Sequence, residues 1–145
     1  MRDVGRVDLR LGVIGDTWVE RGSSRTADGG PNPEAQVTVM NARAVDLVAT
    51  TRERWPLAGD QLFVDLDLSL ENLPTGTVLG IGEARLEVTA APHTGCAKFA
   101  ERFGVEALRL TATPDGRALR LRGINTRVLA GGDVRSGDVV TVVRP

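Results

Sequence analysis

Reactive chemistry in this chain centres on Cys96, its single cysteine. It lies in Leu86-Glu87-Val88-Thr89-Ala90-Ala91-Pro92-His93-Thr94-Gly95-Cys96-Ala97-Lys98-Phe99, where an expected strand passes through a turn into a helix. The thiolate is the attacking and metal-binding form of cysteine, and a helix start favours it. Two readings compete. With Thr94 as the expected N-cap, Cys96 falls in the first helical turn, where unpaired backbone N–H groups stabilise an anion by about 0.3–1 kcal/mol. Yet Cys96, Phe99, Ala100 and Phe103 also fall at i, i+3, i+4 and i+7, the stripe of a buried helix face on which a thiol is inert.

Around Cys96 stand the groups that could serve it. His93, the only histidine, is a candidate proton-exchange partner or an exposed residue of the Pro92-His93-Thr94-Gly95 turn. Lys98, the only lysine, lies opposite Phe99 and Ala100, as a solvated charge or an anion contact. Arg117, Arg120, Arg122 and Arg127 form the densest basic stretch. If a strand extends back to residue 120, Arg120 and Arg122 project from one side and could clamp an anion; a solvated strand face is the other reading. Asn72 and Asn125 could add amide contacts to a ligand or serve turns and loops. Gly131-Gly132-Asp133 and Ser136-Gly137-Asp138 read as hairpin turns and lack the spacing of phosphate loops. Trp18 and Trp55 read as core or interface aromatics.

Composition excludes several classes. A chain of 145 residues is expected to be one domain, residues 1–145, large enough to close a core without disulfides. One cysteine forms no internal disulfide, and one Cys with one His cannot complete a tetrahedral zinc site, so no zinc site is expected. A carboxylate-assisted metal site has no spacing signature. With Lys+Arg 18 against Asp+Glu 19 and a net charge of -1, no basic field exists to hold nucleic acid or an anionic membrane. Aromatics at 3% supply no platform for stacking bases. The N-terminus lacks a signal-peptide run and no stretch approaches the roughly 20 apolar residues of a span, so a cytoplasmic protein with a free thiol is expected.

The elements that must position these residues are mostly strands. Residues 1–35 alternate short apolar pieces with turn formers: Gly12, Gly15-Asp16, Gly22-Ser23-Ser24, then an irregular loop at Asp28-Gly29-Gly30-Pro31-Asn32-Pro33. Gln36 to Met40 predicts a strand, and Asn41 caps a helix expected to run to about Arg54, stopped by Pro56. Leu62 to Leu68, Thr77 to Ile81 and Ala84 to Ala90 predict strands in meander spacing. A helix from about Cys96 to Phe103 ends at Gly104, and Val105 to Leu110 adds one or two turns. Pro114-Asp115-Gly116 turns the chain, Gly123 to Leu129 is a strand, and Val139 to Val143 a buried last strand. No repeat or linker separates a second domain. The spacing favours a meander or barrel over βαβ units.

Read in order, Gly15-Asp16, Gln36-Val37, the Gly59 turn, Glu71-Asn72-Leu73, Ile81-Gly82-Glu83 with Leu86-Glu87-Val88-Thr89, the Cys96 turn, Arg122-Gly123 with Arg127-Val128-Leu129, Gly132-Asp133-Val134 and Gly137-Asp138-Val139-Val140 form an ordered set. That set resembles the MOSC domains, the molybdenum-cofactor sulfurase C-terminal domains, over about residues 11 to 143. The resemblance implies a small stand-alone MOSC domain, mainly β with a few short helices (α+β), compact and β-barrel-like.

The same resemblance implies that Cys96 holds sulfur as a persulfide or ligates molybdenum in a pterin-bound cofactor, molybdopterin. Two departures favour sulfur carriage. No aminotransferase or electron-transfer module is expected beside the domain, and the family's Arg-Arg-Asn-like stretch is replaced by Ala58-Gly59-Asp60-Gln61-Leu62. The expectation is therefore a sulfur carrier loaded at Cys96 by a donor such as a cysteine desulfurase, with His93 beside it. One alternative is a molybdenum-cofactor reductase of N-hydroxylated compounds, served by an electron-transfer partner, in which Cys96 binds the metal and Arg120, Arg122, Arg127, Asn72 and Lys98 hold the cofactor. The other is a noncatalytic interaction domain in which Cys96 only packs.

Overall fold

The computed structural model describes residues 2–23 and 25–145; Met1, and Ser24 of the expected Gly22-Ser23-Ser24 turn, lie outside the described residues. In chain order the elements are β1 (Val4–Asp8), β2 (Gly12–Val13), β3 (Val37–Asn41), α1 (Ala42–Ala49), β4 (Leu62–Val64), β5 (Val78–Ile81), β6 (Ala84–Val88), α2 (Ala97–Phe103), α3 (Val105–Ala112), α4 (Pro114–Ala118), β7 (Ile124–Ala130), β8 (Gly132–Arg135) and β9 (Val140–Val143). Short 3-10 turns occupy Trp18–Glu20, Pro33–Ala35 and Arg52–Ala58. The mainly β texture with a few short helices is as expected, and no helix among the described residues is long and apolar enough to cross a membrane. The chain divides into two compact units: Met1–Val37, Thr75–Ala91 and Asn125–Pro145 make the first, Thr38–Pro74 and Pro92–Ile124 the second.

In the first unit β6 pairs antiparallel with both β5 and β7, and β9 joins the far side of β5. A separate ladder sets β1 between β2 and β8. Period-2 burial explains β6, where Ala84, Leu86 and Val88 are buried and Arg85 is exposed. Side chains tie the loops to the strands: buried Gln36 accepts from the Val128 amide at 2.8 Å and donates to the Leu9 carbonyl at 3.1 Å. Thr126 donates to the Val37 carbonyl at 2.7 Å. The last strand is not buried as expected. Val139, just before β9, is 79% and Val143 63% exposed, and among the described residues β9 pairs only with β5. Strands β1, β2 and β8 escaped the sequence pattern because each is short and interrupted by glycine, which weakens strand alternation.

The second unit is built around a parallel pair, β3 with β4, in which Val39, Met40 and Asn41 face Leu62, Phe63 and Val64. Asn41 caps α1 as expected, its side-chain oxygen accepting from the amides of Arg43 at 2.8 Å and Ala44 at 3.0 Å. The helix stops at Ala49, short of the expected Arg54. Thr50 takes a left-handed φ of 66° and the Arg54 guanidinium donates to the Ala49 carbonyl at 3.2 Å, closing the end. Pro56 therefore does not stop α1; it sits inside the following 3-10 turn, which ends at Gly59 with φ of 82°.

β4 ends at Val64 instead of Leu68 because Asp67 takes the Ser69 amide at 2.9 Å, a side-chain turn that competes with the ladder. Pro114-Asp115-Gly116 is the first turn of α4, with Thr113 accepting from the Gly116 amide at 2.9 Å and Pro114 preset for a helix start. Met40, Val45, Ala49, Ala58 and Phe99 form this unit's core, with Trp55, Phe63, Phe103 and Leu108 packed against it.

Candidate active site at Cys96

Gly95 precedes α2 in close packing: an added Cβ there would stand 2.4 Å from Leu108 Cδ1, so the chain presses onto α3 before the helix begins. The next residue, Cys96, is itself the N-cap of α2, with φ of -134° and ψ of 179°. This corrects the expected Thr94 cap by two residues. Because a capping side chain leaves the helix axis while helical ones follow it, Cys96 escapes the buried stripe that its spacing suggested. The thiol is free and exposed, whereas Phe99 is buried and packs edge-on against Phe103 at 5.1 Å between ring centres.

The surroundings favour the thiolate. The Phe99 amide, outweighing the opposing desolvation and joined by the Lys98 amide and the charges of Arg122 and Lys98, holds the Cys96 thiol below the usual cysteine range. Sγ makes no cap hydrogen bond of full geometry, so these amides act as oriented dipoles at the open helix start.

Behind Cys96, in the same unit, lies a buried ionic cluster with Asp60 at its centre. The Asp60 side chain is fully buried; its Oδ2 accepts from Arg122 NH1 at 2.6 Å and its Oδ1 stands 2.6 Å from His93 Nε2. Burial pushes the Asp60 carboxyl up, but the His93 hydrogen bond and charge together with those of Arg122 overcome it and hold the group below the usual carboxylate range. Arg122 also donates to the Ala58 carbonyl at 2.8 Å, touches Met40 Sδ at 3.9 Å, and carries its guanidinium carbon 4.9 Å over the Phe99 ring centre. Gly123 backs the cluster with φ of 123°, and a Cβ there would meet the Val39 carbonyl at 2.6 Å and His93 Cδ2 at 2.8 Å.

Of the residues singled out from sequence, Cys96, His93, Lys98 and Arg122 all fall in the second unit: Lys98 on α2, His93 and Cys96 on the segment before it, and Arg122 between α4 and β7. His93 makes no hydrogen bond to Cys96; its Nε2 stands 2.6 Å from Asp60 Oδ1 and 3.1 Å from Arg122 NH1. Arg122 does not share a strand face with Arg120, because α4 and a turn occupy the segment and β7 begins only at Ile124. Arg120, with φ of 49°, donates to the Leu73 carbonyl at 2.7 Å and holds a loop. Asn72 donates to the Asp67 carbonyl at 2.6 Å within that loop. Arg127 belongs to the first unit, where it pairs with Glu87 at 2.9 Å, and Asn125 donates there to the Ala91 carbonyl at 3.1 Å.

Asp60 was missed in the sequence. A carboxylate after a glycine reads as a turn residue, and only the left-handed Gly59 turns it inward; its place in the departing Ala58-Gly59-Asp60 stretch was the available clue.

Solved structures with this fold include the YuaD protein of Bacillus subtilis, at TM-score 0.70 and 18% identity over 97% of this chain and 85% of that one. YiiM of Escherichia coli aligns at TM-score 0.61 and 18% identity over 98% of this chain. A hypothetical protein aligns at TM-score 0.65 and 19% identity over the whole chain. The chain spans 63% of the length of each of these last two. No protein of curated function matches it in sequence. The sequence profile of the MOSC domain, however, matches residues 12–141, and with nearly the whole length accounted for, the chain belongs to the MOSC domain family.

Proposed function

We propose that this domain carries sulfur as a persulfide on Cys96. The observation that supports this reading most directly is an exposed thiol at the start of α2, biased toward its anion by the Phe99 and Lys98 amides and by the Arg122 and Lys98 charges. A thiolate so placed attacks the outer sulfur of a donor persulfide. The Cys96–S bond forms, the donor S–S bond breaks with its pair going to the donor's inner sulfur, and the outer sulfur remains on Cys96. Lys98 and Arg122 oppose the charge of the loaded group; an acceptor nucleophile removes the sulfur by the same exchange. A cysteine desulfurase is the donor class that this chemistry suits.

The family also implies a molybdenum cofactor. A soft thiolate at Cys96 suits molybdenum as a ligand, but among the described residues no group of three His, Cys, Asp or Glu side chains could hold a metal ion with it. Three of the residues expected to hold the pterin and its phosphate are engaged elsewhere: Arg120 on the Leu73 carbonyl, Asn72 on the Asp67 carbonyl and Arg127 on Glu87. Arg122 stands near Cys96 but its guanidinium is held by Asp60 and the Ala58 carbonyl, which leaves Lys98 of the expected set. That donor set does not fit the whole cofactor.

Incubation with a cysteine desulfurase and cysteine, followed by intact-protein and peptide mass spectrometry, tests the proposal. Addition of about 32 Da at Cys96, absent from Cys96→Ser and reversed by a thiol, is the expected result. An unmodified Cys96 after the desulfurase has turned over many times rules the reading out.

A further inference from the structure

We infer that Asp60 is a positioning residue that fixes His93 as its Nε2–H tautomer, so that Nδ1 is the atom that exchanges a proton with the sulfur donor during loading of Cys96. This rests on the sulfur-carrier reading for the identity of the donor, but not for the state of the ring.

The tautomer follows from two short distances and a burial. His93 Nε2 stands 2.6 Å from Asp60 Oδ1 and 3.1 Å from Arg122 NH1. One ring nitrogen cannot donate to the first and accept from the second. An unprotonated Nε2 would point a lone pair at a carboxylate oxygen across the shorter distance, inside a cluster where the Asp60 side chain is fully buried and no water can intervene. Nε2–H donating to Oδ1 removes that repulsion. Arg122 holds the other carboxylate oxygen at 2.6 Å, so the carboxylate cannot rotate to release the ring.

The consequence falls on the opposite nitrogen. Nδ1 has no hydrogen-bond partner among the described residues. Arg122 Nε is the only buried side-chain N or O atom among them that lacks a partner, so Nδ1 reaches solvent. Three residues of chain separate His93 from Cys96, which limits the two Cα atoms to about 10 Å apart. In this inference a donor whose outer sulfur meets Sγ presents its inner sulfur to Nδ1 across this short segment. In the loading step Cys96 thiolate, donor R–S–SH and one proton relayed through Nδ1 yield Cys96–S–SH and R–SH. The Cys96–S bond replaces the donor S–S bond, the leaving pair on the donor's inner sulfur takes the Nδ1 proton, and no oxidant or reductant is consumed. Asp60 acts only through the ring it holds.

Because His93 is the only histidine, its ring nitrogens can be read without assignment ambiguity. Long-range proton–nitrogen correlation spectra of the uniformly nitrogen-15-labelled full chain should show, in the neutral ring, a protonated Nε2 and an unprotonated Nδ1. Asp60→Asn should shift the proton toward Nδ1, since the amide can present its N–H to the ring. His93→Gln keeps a donor toward Asp60 but removes Nδ1. It should slow sulfur loading from a desulfurase by about 100-fold or more, while alkylation of Cys96 by iodoacetamide, whose iodide leaves without a proton, changes less than about twofold by the same reasoning. A wild-type ring protonated on Nδ1, or loading of His93→Gln at the wild-type rate, overturns the inference. If the wild-type protein takes up no sulfur, the sulfur-carrier reading fails, and the spectra alone decide the tautomer.

Discussion

Arg122 meets Asp60 at 2.6 Å with the carboxylate fully buried and the arginine side chain 10% exposed. A pair this deep does not stabilise merely by being present, since desolvation consumes most of the attraction. What the geometry enforces is mutual dependence, because each charge alone would be intolerable in that site. Through Asp60 the dependence extends to His93, and through the guanidinium to the thiol of Cys96.

Removing one partner should therefore be costly. Asp60→Leu or Arg122→Met is expected to lower unfolding free energy by about 3–5 kcal/mol, whereas the two replacements together should cost clearly less than the sum. Urea denaturation of the four proteins measures this. Additive losses would show that the two charges do not depend on each other.

Acid should act on the same group. Asp60 has its folded carboxyl held below the unfolded value, so its stabilisation is complete above the unfolded carboxylate pKa of about 3.9 and is lost as pH falls through the lower folded value. Urea midpoints measured from pH 7 down to 3 should fall steeply only at the acid end. Asp60→Asn, if folded, should lose that component of the slope.

The thiol should titrate early. The rate of iodoacetamide reaction with folded protein is expected to rise with a midpoint below the ordinary cysteine value of about 8.5, and Lys98→Ala should move that midpoint upward because one attracting charge is gone. Cys96→Ser should change stability by less than about 0.5 kcal/mol, as the side chain is exposed. Reaction only after unfolding would contradict both statements.

Gly123 couples backbone to site. Gly123→Ala places a Cβ 2.6 Å from the Val39 carbonyl and 2.8 Å from His93 Cδ2 at a φ of 123°. The expected loss is about 1–3 kcal/mol from strain and overpacking. The His93 ring resonances should shift as well, which nuclear magnetic resonance checks; a silent ring would mean that it does not lean on this glycine.

Asn41 is the cap that starts α1 and also donates to the Leu66 carbonyl at 2.6 Å. Asn41→Ala should cost about 1–2 kcal/mol. Thermal melts read the change, and a loss below a few tenths would show that water replaces the cap without penalty.

Local chemistry was legible in the sequence. The Asn41 cap, the alternation of Ala84 to Val88, the α2 stripe ending at Gly104 and the ordered family residues each depend on neighbours within a few positions, where spacing alone constrains the backbone. The single cysteine followed from composition. Tertiary structure decided the rest, because the deciding partners are distant in sequence. Asp60 and Arg122 are 62 residues apart and Asp60 and His93 are 33 apart, so no window of periodicity reports that a turn carboxylate becomes the buried centre of the cluster. The same holds for the exposure of Cys96. Its spacing placed it on the buried face, and only the shift of the helix start from Thr94 to Cys96, set as Gly95 packs against Leu108, turned the thiol outward.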